Sequence, residues 1–387
     1  MKRVAISERP NWQAQAEEYG FNYHTMYGER YWCEDFYYQF GLKEIELIED
    51  ATEELHQMAL KAVDRVVKSE KLLEKFQIPP QSWRFIRESW NREEPSLYGR
   101  FDFAYDGEGN LKMLEYNADT PTSLYESAFF QWLWLEDQIE AKNLPMIADQ
   151  FNSIQEQLIS RFGDLRAYHH MDLLHFSCCE DSDEDRGTVE YLEDCAKEAG
   201  LETQFLYIEE IGINSDLEYT DMEDAPIDAI FKLYPWEFML GEDFASYLDM
   251  GKTRWLEPAW KAILSNKALL PLLWEMFPNH KYLLPAYFSD DKKASSLTSY
   301  VKKPLFSREG ANVEIVTNGE VLETADGPYG IEGSIIQEYV PLPVFDGNHV
   351  VIGSWIVGDT ACGLNIREDH SRITQDLSRF YPHAIVG

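Results

Sequence analysis

Four polar side chains of complementary chemistry lie close together in the segment RFDFAYDGEGNLKMLEYN. Arg100 and Asp102 are two residues apart, and so are Glu115 and Asn117. Side chains two positions apart on a β-strand point to the same face of the sheet. If the loop of an antiparallel hairpin consists of the four residues 107–110, Asp102 lies opposite Glu115 and Arg100 opposite Asn117, so that all four converge. A five-residue loop would break this parity and scatter them.

The converging set suits a hard metal ion. Two facing carboxylates repel unless a cation lies between them, and carboxylate and amide oxygens are ligands that Mg²⁺ prefers. Protein-bound Mg²⁺ usually keeps positions for water and substrate phosphates. Arg100 would add the planar fork that holds a phosphoryl oxygen. The same residues could instead form an ordinary polar sheet face with an Arg–carboxylate pair.

A second candidate element is the basic segment YVKKPLFSREGANVEIV. Lys302, Lys303 and Arg308 precede Gly310 here, in a chain that is acidic almost everywhere else. The common phosphate-binding patterns GxxxxGK[ST] and GxGxxG after a strand are absent. A turn with a glycine between two strands could fold over phosphates as a flap, or these could be solvated hairpin charges. In residues 335–343, IIQEYVPLP, a strand ends in a proline-bounded stretch that could accept an adenine.

The elements that position these residues form a mixed pattern. Apolar residues recur at three- and four-residue steps over 44–76, which predicts amphipathic helix. After the hairpin, Ser123 and Glu126 form a capping-box pattern at the start of the helix LYESAFFQWLWLEDQIE. A helix over 149–163 is followed by the alternation LLHFSCC, DRGTVEYLEDCAKEAG, TQFLYI and AIFKLY, which predicts an α/β layer. Strands return over 299–323, so the predicted fold class is α+β with mixed α/β character.

Composition limits the partners. The 387 residues include 69 acidic and 34 basic side chains, and the net charge of −35 repels nucleic acid and anionic membranes. The first residues, MKRVAISERPNW, lack a signal-peptide core, and no window approaches 18 uninterrupted apolar residues. Five cysteines without CxxC spacing argue against a disulfide framework or a structural zinc site. We therefore expect a cytoplasmic protein with reduced thiols and with neither nucleic-acid nor membrane partners.

Several multi-residue blocks occur in a characteristic order: YGRFDF, LEYNADTPTS, SNKALLPLLWEMFP, YVKKPLFSREGAN and IREDHSRIT. Together they resemble the synthetase domain of glutathionylspermidine synthase, and most closely that family's stand-alone bacterial members, described as acid–amine ligases. The resemblance covers almost the whole chain. It implies an ATP-grasp fold. The implied parts are a helical N-terminal region (residues 1–95), a core that contains the metal-binding hairpin (96–290), a β-rich lid (291–335) and a C-terminal segment that returns to the core (336–387).

By matching position, the resemblance implies Mg²⁺ ligands at Asp102, Glu115 and Asn117, with two ions expected. It implies that Arg100, Arg308 and Arg367 lie at the reacting end, with Arg100 stabilising the transferred phosphoryl group. The implied contacts to ATP are Arg100, Phe101, Asp102, Lys267, Lys303, Gly310, Gln337, Glu338, Tyr339 and Val340.

For the substrates, the resemblance implies that Thr120 touches the acid and that Glu184 and Asp185 help to receive the substrates. Glu184 and Asp185 could otherwise be part of a solvated acidic loop. Two positions depart from the family pattern. Leu233 stands where a threonine contacts glutathione, and Arg379 stands where an acidic residue meets the polyamine, so the acceptor pockets differ from those for glutathione and spermidine.

The resulting functional prediction is an ATP- and Mg²⁺-dependent ligase. It would join a carboxylate, such as a peptide or glutathione-like acid, to an amine, such as a polyamine, through an acyl phosphate, and release ADP and phosphate. Two alternatives remain at this stage. One is an ATP-binding regulatory protein that has lost catalysis, and the other is a glycoside hydrolase with two catalytic carboxylates. The oligomeric state is left open.

Overall fold

The computed structural model describes residues 1–375 and 378–386. Its centre is an antiparallel sheet in which the predicted hairpin pairs with strands from the C-terminal part of the chain. The strand Tyr98–Tyr105 is buried along its whole length, and it pairs on one side with Leu111–Asn117 and on the other with Asn348–Val357. The sheet continues through Thr360–Asp369 to Arg379–Tyr381, while Val344–Phe345 pairs with Asn348–Val357.

The hairpin has the predicted pairing but not the predicted loop. The strands end at Tyr105 and begin again at Leu111, so the loop has five residues rather than four. Arg100 nevertheless pairs with Asn117 and Asp102 with Glu115, because a β-bulge shifts the register between Asp102 and Phe103. A bulge sets two residues on one strand against one on the other, so it restores the parity that the longer loop removes. The expected loop length is therefore wrong and the expected convergence is correct.

The N-terminal region covers one side of this sheet. The predicted helix over 44–76 is two helices, Leu42–Val67 and Glu70–Lys75, because Ser69 caps the second by accepting a hydrogen bond from the Leu72 amide at 3.3 Å. The first helix packs against the central sheet. A three-stranded sheet adjoins this helical region. Lys2–Ala5 pairs with Phe36–Phe40, and Phe36–Phe40 pairs on its other side with His383–Ile385 from the C-terminal part of the chain.

A parallel sheet lies within residues 151–257, the part of the chain that we expect to contribute to substrate binding and call the substrate lobe. The predicted α/β alternation is confirmed here. The spatial order is Arg254–Leu256, Ala229–Leu233, Leu173–Cys178 and Glu202–Phe205, flanked by the helices Ile154–His169 and Asp183–Glu198. The predicted helix over 149–163 thus begins later and continues farther.

The segment that joins the hairpin to this lobe differs from the expectation. A π-helical turn, Glu126–Phe130, leads into the α-helix Gln131–Glu140. The expected capping box is wrong, because Ser123 has a φ of 71° and the Glu126 carboxylate instead accepts a hydrogen bond from the Tyr31 hydroxyl at 2.7 Å. Glu126 is therefore the first residue of the π-helical turn, but its side chain is buried against Tyr31 of the N-terminal region and does not cap the helix.

The lid is a five-stranded antiparallel sheet. Its spatial order is Ala286–Phe288, Ser334–Glu338, Tyr300–Pro304, Glu314–Thr317 and Glu320–Thr324. The strands predicted over 299–323 are confirmed, and Ser334–Glu338 crosses the boundary expected between 335 and 336. The remaining elements are short: α-helices Trp12–Glu18, Trp83–Asn91, Trp236–Met239, Lys261–Leu264 and Leu269–Met276; 3₁₀ turns Pro80–Ser82, Ile208–Glu210, Asp243–Tyr247 and Lys292–Ser296; and strands Thr25–Met26, Glu29–Arg30, Gly212–Ile213 and Tyr219–Thr220.

The predicted mixed fold class is confirmed by this arrangement of one antiparallel sheet, one parallel lobe and one β-rich lid. Over the residues that the structure describes, no helix is both long and apolar enough to cross a bilayer.

Candidate active site

A cleft of about 400 Å³ lies between the central sheet, the lid and the substrate lobe. Its walls include the hairpin, the lid loop 306–310, the strand end 337–340 and the substrate-lobe loop 233–238. Three separately folded sheets thus contribute to one cavity. Concave sites of this size with converging polar groups are typical of small-molecule binding.

Two arginines hold Asp102 at the floor of the cleft. Arg100 donates to the two Asp102 oxygens at 2.8 and 3.3 Å, and Arg367 donates to Oδ2 at 2.6 Å. Burial raises the pKa of Asp102, but the two guanidinium groups outweigh it and hold this pKa at about 2. Asp102 is therefore an anion at any physiological pH.

A glycine on the neighbouring strand makes room for this arrangement. Gly353 pairs with Asp102 on one side and with Asn365 on the other. A Cβ at Gly353 would lie 1.9 Å from Asn365 Oδ1 and 2.9 Å from Arg100 Cδ. The Arg100 side chain can lie across the sheet only because this position has no side chain.

Lysines line the opposite wall. Lys267 Nζ lies 3.4 Å from Glu115 Oε2 and donates to the Ser307 carbonyl. Lys303 Nζ donates to the Leu114 carbonyl and to Gln337 Oε1, both at 2.9 Å. Burial lowers the pKa of Lys303 to about 8, although Glu115 opposes this shift. Burial raises the pKa of Glu115, but nearby positive charges, chiefly that of Lys267, lower this pKa below its usual value.

The lid also reaches the substrate lobe. Arg308 Nε and Nη2 lie 3.0 and 2.9 Å from Glu237 Oε1, and Nη1 donates to Thr120 Oγ1 at 2.7 Å. One lid cation therefore touches both a lobe carboxylate and the loop that follows the hairpin. This contact joins the lid to the substrate lobe beside the cleft.

A buried ion pair positions that lobe loop. Lys232 and Asp119 are fully buried, and Lys232 Nζ donates to Asp119 Oδ1 at 3.0 Å and to the Tyr234 carbonyl at 2.7 Å. Asp119 Oδ2 accepts from the Trp236 amide at 2.7 Å. Burial lowers the pKa of Lys232, and the Asp119 charge opposes this shift. The pair fastens the loop that carries Glu237 to the loop that carries Thr120.

Several donors in the cleft have no protein partner among the described residues. They are Arg367 Nε and the hydroxyls of Ser265 and Ser307, all buried. Buried polar groups are nearly always hydrogen-bonded in native proteins. A set of unpaired donors beside Lys267 and Lys303 is what an anionic, phosphate-bearing ligand would satisfy.

Nearly all of the predicted site residues line this cleft. The structure brings together Arg100, Asp102, Glu115, Asn117, Thr120, Glu184, Asp185, Lys267, Lys303, Arg308, Gly310, Gln337, Glu338, Tyr339, Val340 and Arg367. Of the two family departures, Leu233 is also in the wall.

Three positions lie elsewhere, for reasons of strand geometry. Phe101 alternates away from Arg100 and Asp102, is fully buried and stacks on Tyr116 with ring centroids 3.7 Å apart. Lys302 is exposed on the outer face of the lid strand, opposite to Lys303, which agrees with the alternative of a solvated hairpin charge for this residue. Arg379 donates to Asn348 Oδ1, away from the described cleft wall.

The sequence also left some site residues unidentified. Tyr31, Ser123 and Glu237 line the cleft, and Asp119 and Lys232 support it. Ser123 and Asp119 lie in the singled-out block NADTPTS, and Lys232 and Glu237 in FKLYPWE, so their neighbourhood was a usable signal. Tyr31 comes from the N-terminal region, where no local pattern marked it.

The donor set fits a hard divalent cation that is only partly enclosed by protein. Asp102, Glu115 and Asn117 share one face of the hairpin and offer two carboxylates and an amide. No cluster of three or more His, Cys, Asp or Glu side chains with metal-binding geometry occurs among the described residues. The two carboxylates and the amide suit Mg²⁺, which is commonly held by one or two carboxylates together with substrate phosphates.

Comparison with known proteins places the chain among ligases. The family model described as glutathionylspermidine synthase preATP-grasp matches residues 3–386. A proposed acid–amine ligase from Haemophilus influenzae is 45% identical over 399 residues, covering 100% of both chains. A trypanothione synthetase from Crithidia fasciculata is 30% identical, covering 83% of this chain and 52% of the relative.

A further relative and a solved structure extend the comparison. The bifunctional glutathionylspermidine synthetase/amidase of Escherichia coli is 29% identical, covering 89% of this chain and 58% of the relative. A solved glutathione synthetase-like effector from Globodera pallida superposes with a TM-score of 0.58 at 11% identity, covering 90% of this chain and 89% of that one. This last likeness concerns the fold alone, and it agrees with the predicted ATP-grasp type.

Proposed function

Because the chain belongs to the glutathionylspermidine synthase preATP-grasp family and its relatives are carbon–nitrogen ligases, we propose that it uses ATP to join a carboxylic acid to an amine. The relatives named for glutathionylspermidine and trypanothione suggest a peptide acid and a polyamine as the substrate classes. Because ATP is a cytoplasmic substrate, the proposed reaction is a cytoplasmic one.

The observation that carries the proposal is that cationic and acidic side chains line the same cleft. Its wall contains Lys267, Lys303 and Arg367 together with unpaired buried donors, and it also contains Glu184 and Asp185. The cations suit a triphosphate, and the two carboxylates suit a protonated amine. A carboxylate substrate bound in this cleft would share one cavity with the phosphoryl donor and the amine.

In the first step, the acid attacks the terminal phosphoryl group and forms an acyl phosphate, while ADP leaves. Asp102, Glu115 and Asn117 would hold Mg²⁺, with two ions proposed, and the metal when bound would neutralise phosphate charge. Lys303 and Lys267 would hold the phosphates, and Arg100 would stabilise charge that develops on the transferred group. Phosphoryl transfer depends mainly on such alignment and charge stabilisation.

In the second step, the amine attacks the acyl carbon and phosphate leaves. Arg308, held by Glu237 and Thr120, would stay beside the reacting carboxyl group. Cys179 also lines the cleft, but burial raises the pKa of its thiol to about 11, so it is not an activated nucleophile. The route therefore needs no covalent enzyme intermediate. Membership of a ligase family argues against the glycoside hydrolase alternative.

The substitution Arg100→Ala tests the proposal. Asp102 keeps its bond to Arg367 in this variant, which favours retention of the fold. Losing one well-placed donor to developing charge costs about 3 kcal/mol, or about a hundredfold in rate. We expect that loss in ADP formation, measured with Mg²⁺ and ATP against a panel of peptides and polyamines, with products identified by mass spectrometry.

Arg65→Ala is the matched control, because Arg65 is a half-exposed residue whose ion pair with Glu275 lies on the surface. It should leave turnover unchanged. A wild-type rate in Arg100→Ala would remove the role assigned to this residue. Tight ATP binding by the wild-type protein without product from any acid and amine would favour the regulatory alternative instead.

A further inference from the structure

A fully buried carboxyl group lies behind the wall of the cleft. Glu126 is 0% exposed, and its Oε1 accepts a hydrogen bond from the Tyr31 hydroxyl at 2.7 Å. The Tyr31 oxygen also lies 3.2 Å from Ser123 Oγ. Tyr31 and Ser123 are part of the cleft wall, whereas Glu126 is not. A hydrogen-bonded path therefore leads from the cleft to an acid that substrate cannot touch.

The contacts of Glu126 do not look like those of a purely structural carboxylate. A buried carboxyl group is costly unless both oxygens are satisfied. Glu126 Oε2 is buried and has no hydrogen-bond partner among the residues that the structure describes. The residue also begins the π-helical turn Glu126–Phe130, and π-helical turns often occur at functional sites.

The surroundings of Glu126 place its pKa near neutral pH. Burial raises the pKa of Glu126 to about 7, and the Tyr31 hydrogen bond and the Arg100 charge oppose this shift. A general base is most effective when its pKa lies near the working pH. The titratable and charged groups that interact with Glu126, or with the tyrosines around it, include Tyr19, Tyr23, Tyr31, Arg100, Tyr125, Glu184 and Asp185.

We propose that Tyr31 and Glu126 form the proton-accepting relay for the amine substrate. This inference rests on the proposed ligase function and adds to it the group that receives the proton. Most amines are protonated at neutral pH, so one N–H bond must break before the nitrogen can attack. Tyr31 would touch the amine, and Glu126 acts through Tyr31 as a positioning residue.

The proton transfer balances without any further reactant. The ammonium proton passes to the Tyr31 oxygen while the Tyr31 hydroxyl proton passes to the Glu126 carboxylate. The freed nitrogen lone pair forms the C–N bond, and the C–O bond to phosphate breaks with its electron pair leaving on phosphate. The nitrogen loses its second proton to the departing phosphate, which leaves as hydrogen phosphate, so the product is a neutral amide. Glu126 then returns its proton through Tyr31 to solvent after the product leaves.

Two kinds of acyl-accepting nucleophile distinguish a proton-relay role of Glu126 from a purely structural role. Hydroxylamine is largely neutral at pH 7 and attacks acyl phosphates to give hydroxamates, whereas spermidine and simple diamines arrive protonated. Glu126→Gln keeps the shape of the side chain but cannot accept the proton. With glutathione and short peptides as acids, we expect the ratio of amide to hydroxamate rates to fall about a hundredfold in Glu126→Gln.

The pH dependence gives a second readout. The wild-type amide rate should rise as Glu126 ionises and flatten above about pH 7. The Glu126→Gln rate should lose that step and keep rising with the fraction of neutral amine. Tyr31→Phe should show the same changes, and it keeps the test available if Glu126→Gln does not fold. Glu136→Gln, an exposed position on the helix that follows, is the control and should match the wild-type protein.

Each outcome is decisive. Equal losses with both acceptors would assign Glu126 a structural role, and unchanged amide formation would also overturn the relay. If the wild-type protein forms hydroxamate and the ratio does not change, only the relay fails. If it forms neither hydroxamate nor amide from ATP with any acid in the panel, the proposed function fails and the relay fails with it.

Discussion

Replacing Lys232 by Met removes one charge from the buried pair that supports the lobe wall of the cleft. Lys232 and Asp119 are both fully buried, and Lys232 Nζ also donates to the Tyr234 carbonyl. Methionine nearly conserves the length and volume of the side chain, so the change is mainly one of charge and hydrogen bonding. Asp119 would keep its bond from the Trp236 amide and lose its cation.

The expected magnitude follows from these contacts. Leaving one member of a buried ion pair uncompensated costs about 3–5 kcal/mol. The Tyr234 carbonyl also loses its donor, and an unsatisfied buried acceptor costs about 1–3 kcal/mol. Because relaxation of the loop recovers part of this, we expect the free energy of unfolding to fall by about 4 kcal/mol.

Denaturant unfolding followed by tryptophan fluorescence measures this loss, and the double variant Asp119→Asn with Lys232→Met is the matched control. The double variant has no charge at either position, and the carboxamide oxygen that replaces the carboxylate can still accept from the Trp236 amide. We therefore expect it to be about 2 kcal/mol more stable than Lys232→Met alone. The loop that carries Glu237 should also shift in Lys232→Met and weaken the Arg308 contact.

A loss below about 1 kcal/mol in Lys232→Met would refute the reasoning, because that is the size expected for a solvent-exposed pair. A double variant less stable than the single one would also refute it. In that case the carboxylate, rather than its missing cation, would be what the loop requires.

Two further predictions concern the lid. Gly310 has a φ of +72°, and a Cβ there would lie 2.5 Å from Ile373 Cγ2 and 2.7 Å from the Thr374 carbonyl oxygen. The substitution Gly310→Ala should therefore displace the lid loop 306–310 and weaken ATP binding about tenfold. Gly319→Ala is the control with φ +81° and no atom within 4 Å, and equal effects of both changes in calorimetric ATP titrations would contradict the steric argument. Burial lowers the pKa of Lys303 to about 8, so its ammonium charge is present below that pH and is lost above it. ATP affinity should therefore be constant up to about pH 7 and fall by up to about tenfold per pH unit above pH 8. The same titrations on Lys303→Arg should lack that fall, and an unchanged fall would assign it to another group.

The sequence alone determined the face on which the chemistry lies. Alternation along a strand depends only on local backbone geometry, so the shared face of Arg100 and Asp102, and that of Glu115 and Asn117, could be predicted without knowing the rest of the fold. The same holds for the helix Leu42–Val67 within the predicted helical range 44–76, since a 3.6-residue period shows in any helix with one buried face. The predicted pairing of the two strands was correct only because two differences cancel. The actual loop is one residue longer than predicted, and an unpredicted β-bulge compensates for the extra residue.

Only the tertiary structure decided which charges are paired and which are buried. Lys232 meets Asp119 across 113 residues of chain, Arg367 meets Asp102 across 265, and Tyr31 meets Glu126 across 95. Ser123 and Glu126 match a capping box by spacing, yet packing of the N-terminal region places Glu126 against Tyr31 instead. Desolvation and long-range pairing depend on where distant segments pack, and no local periodicity carries that information.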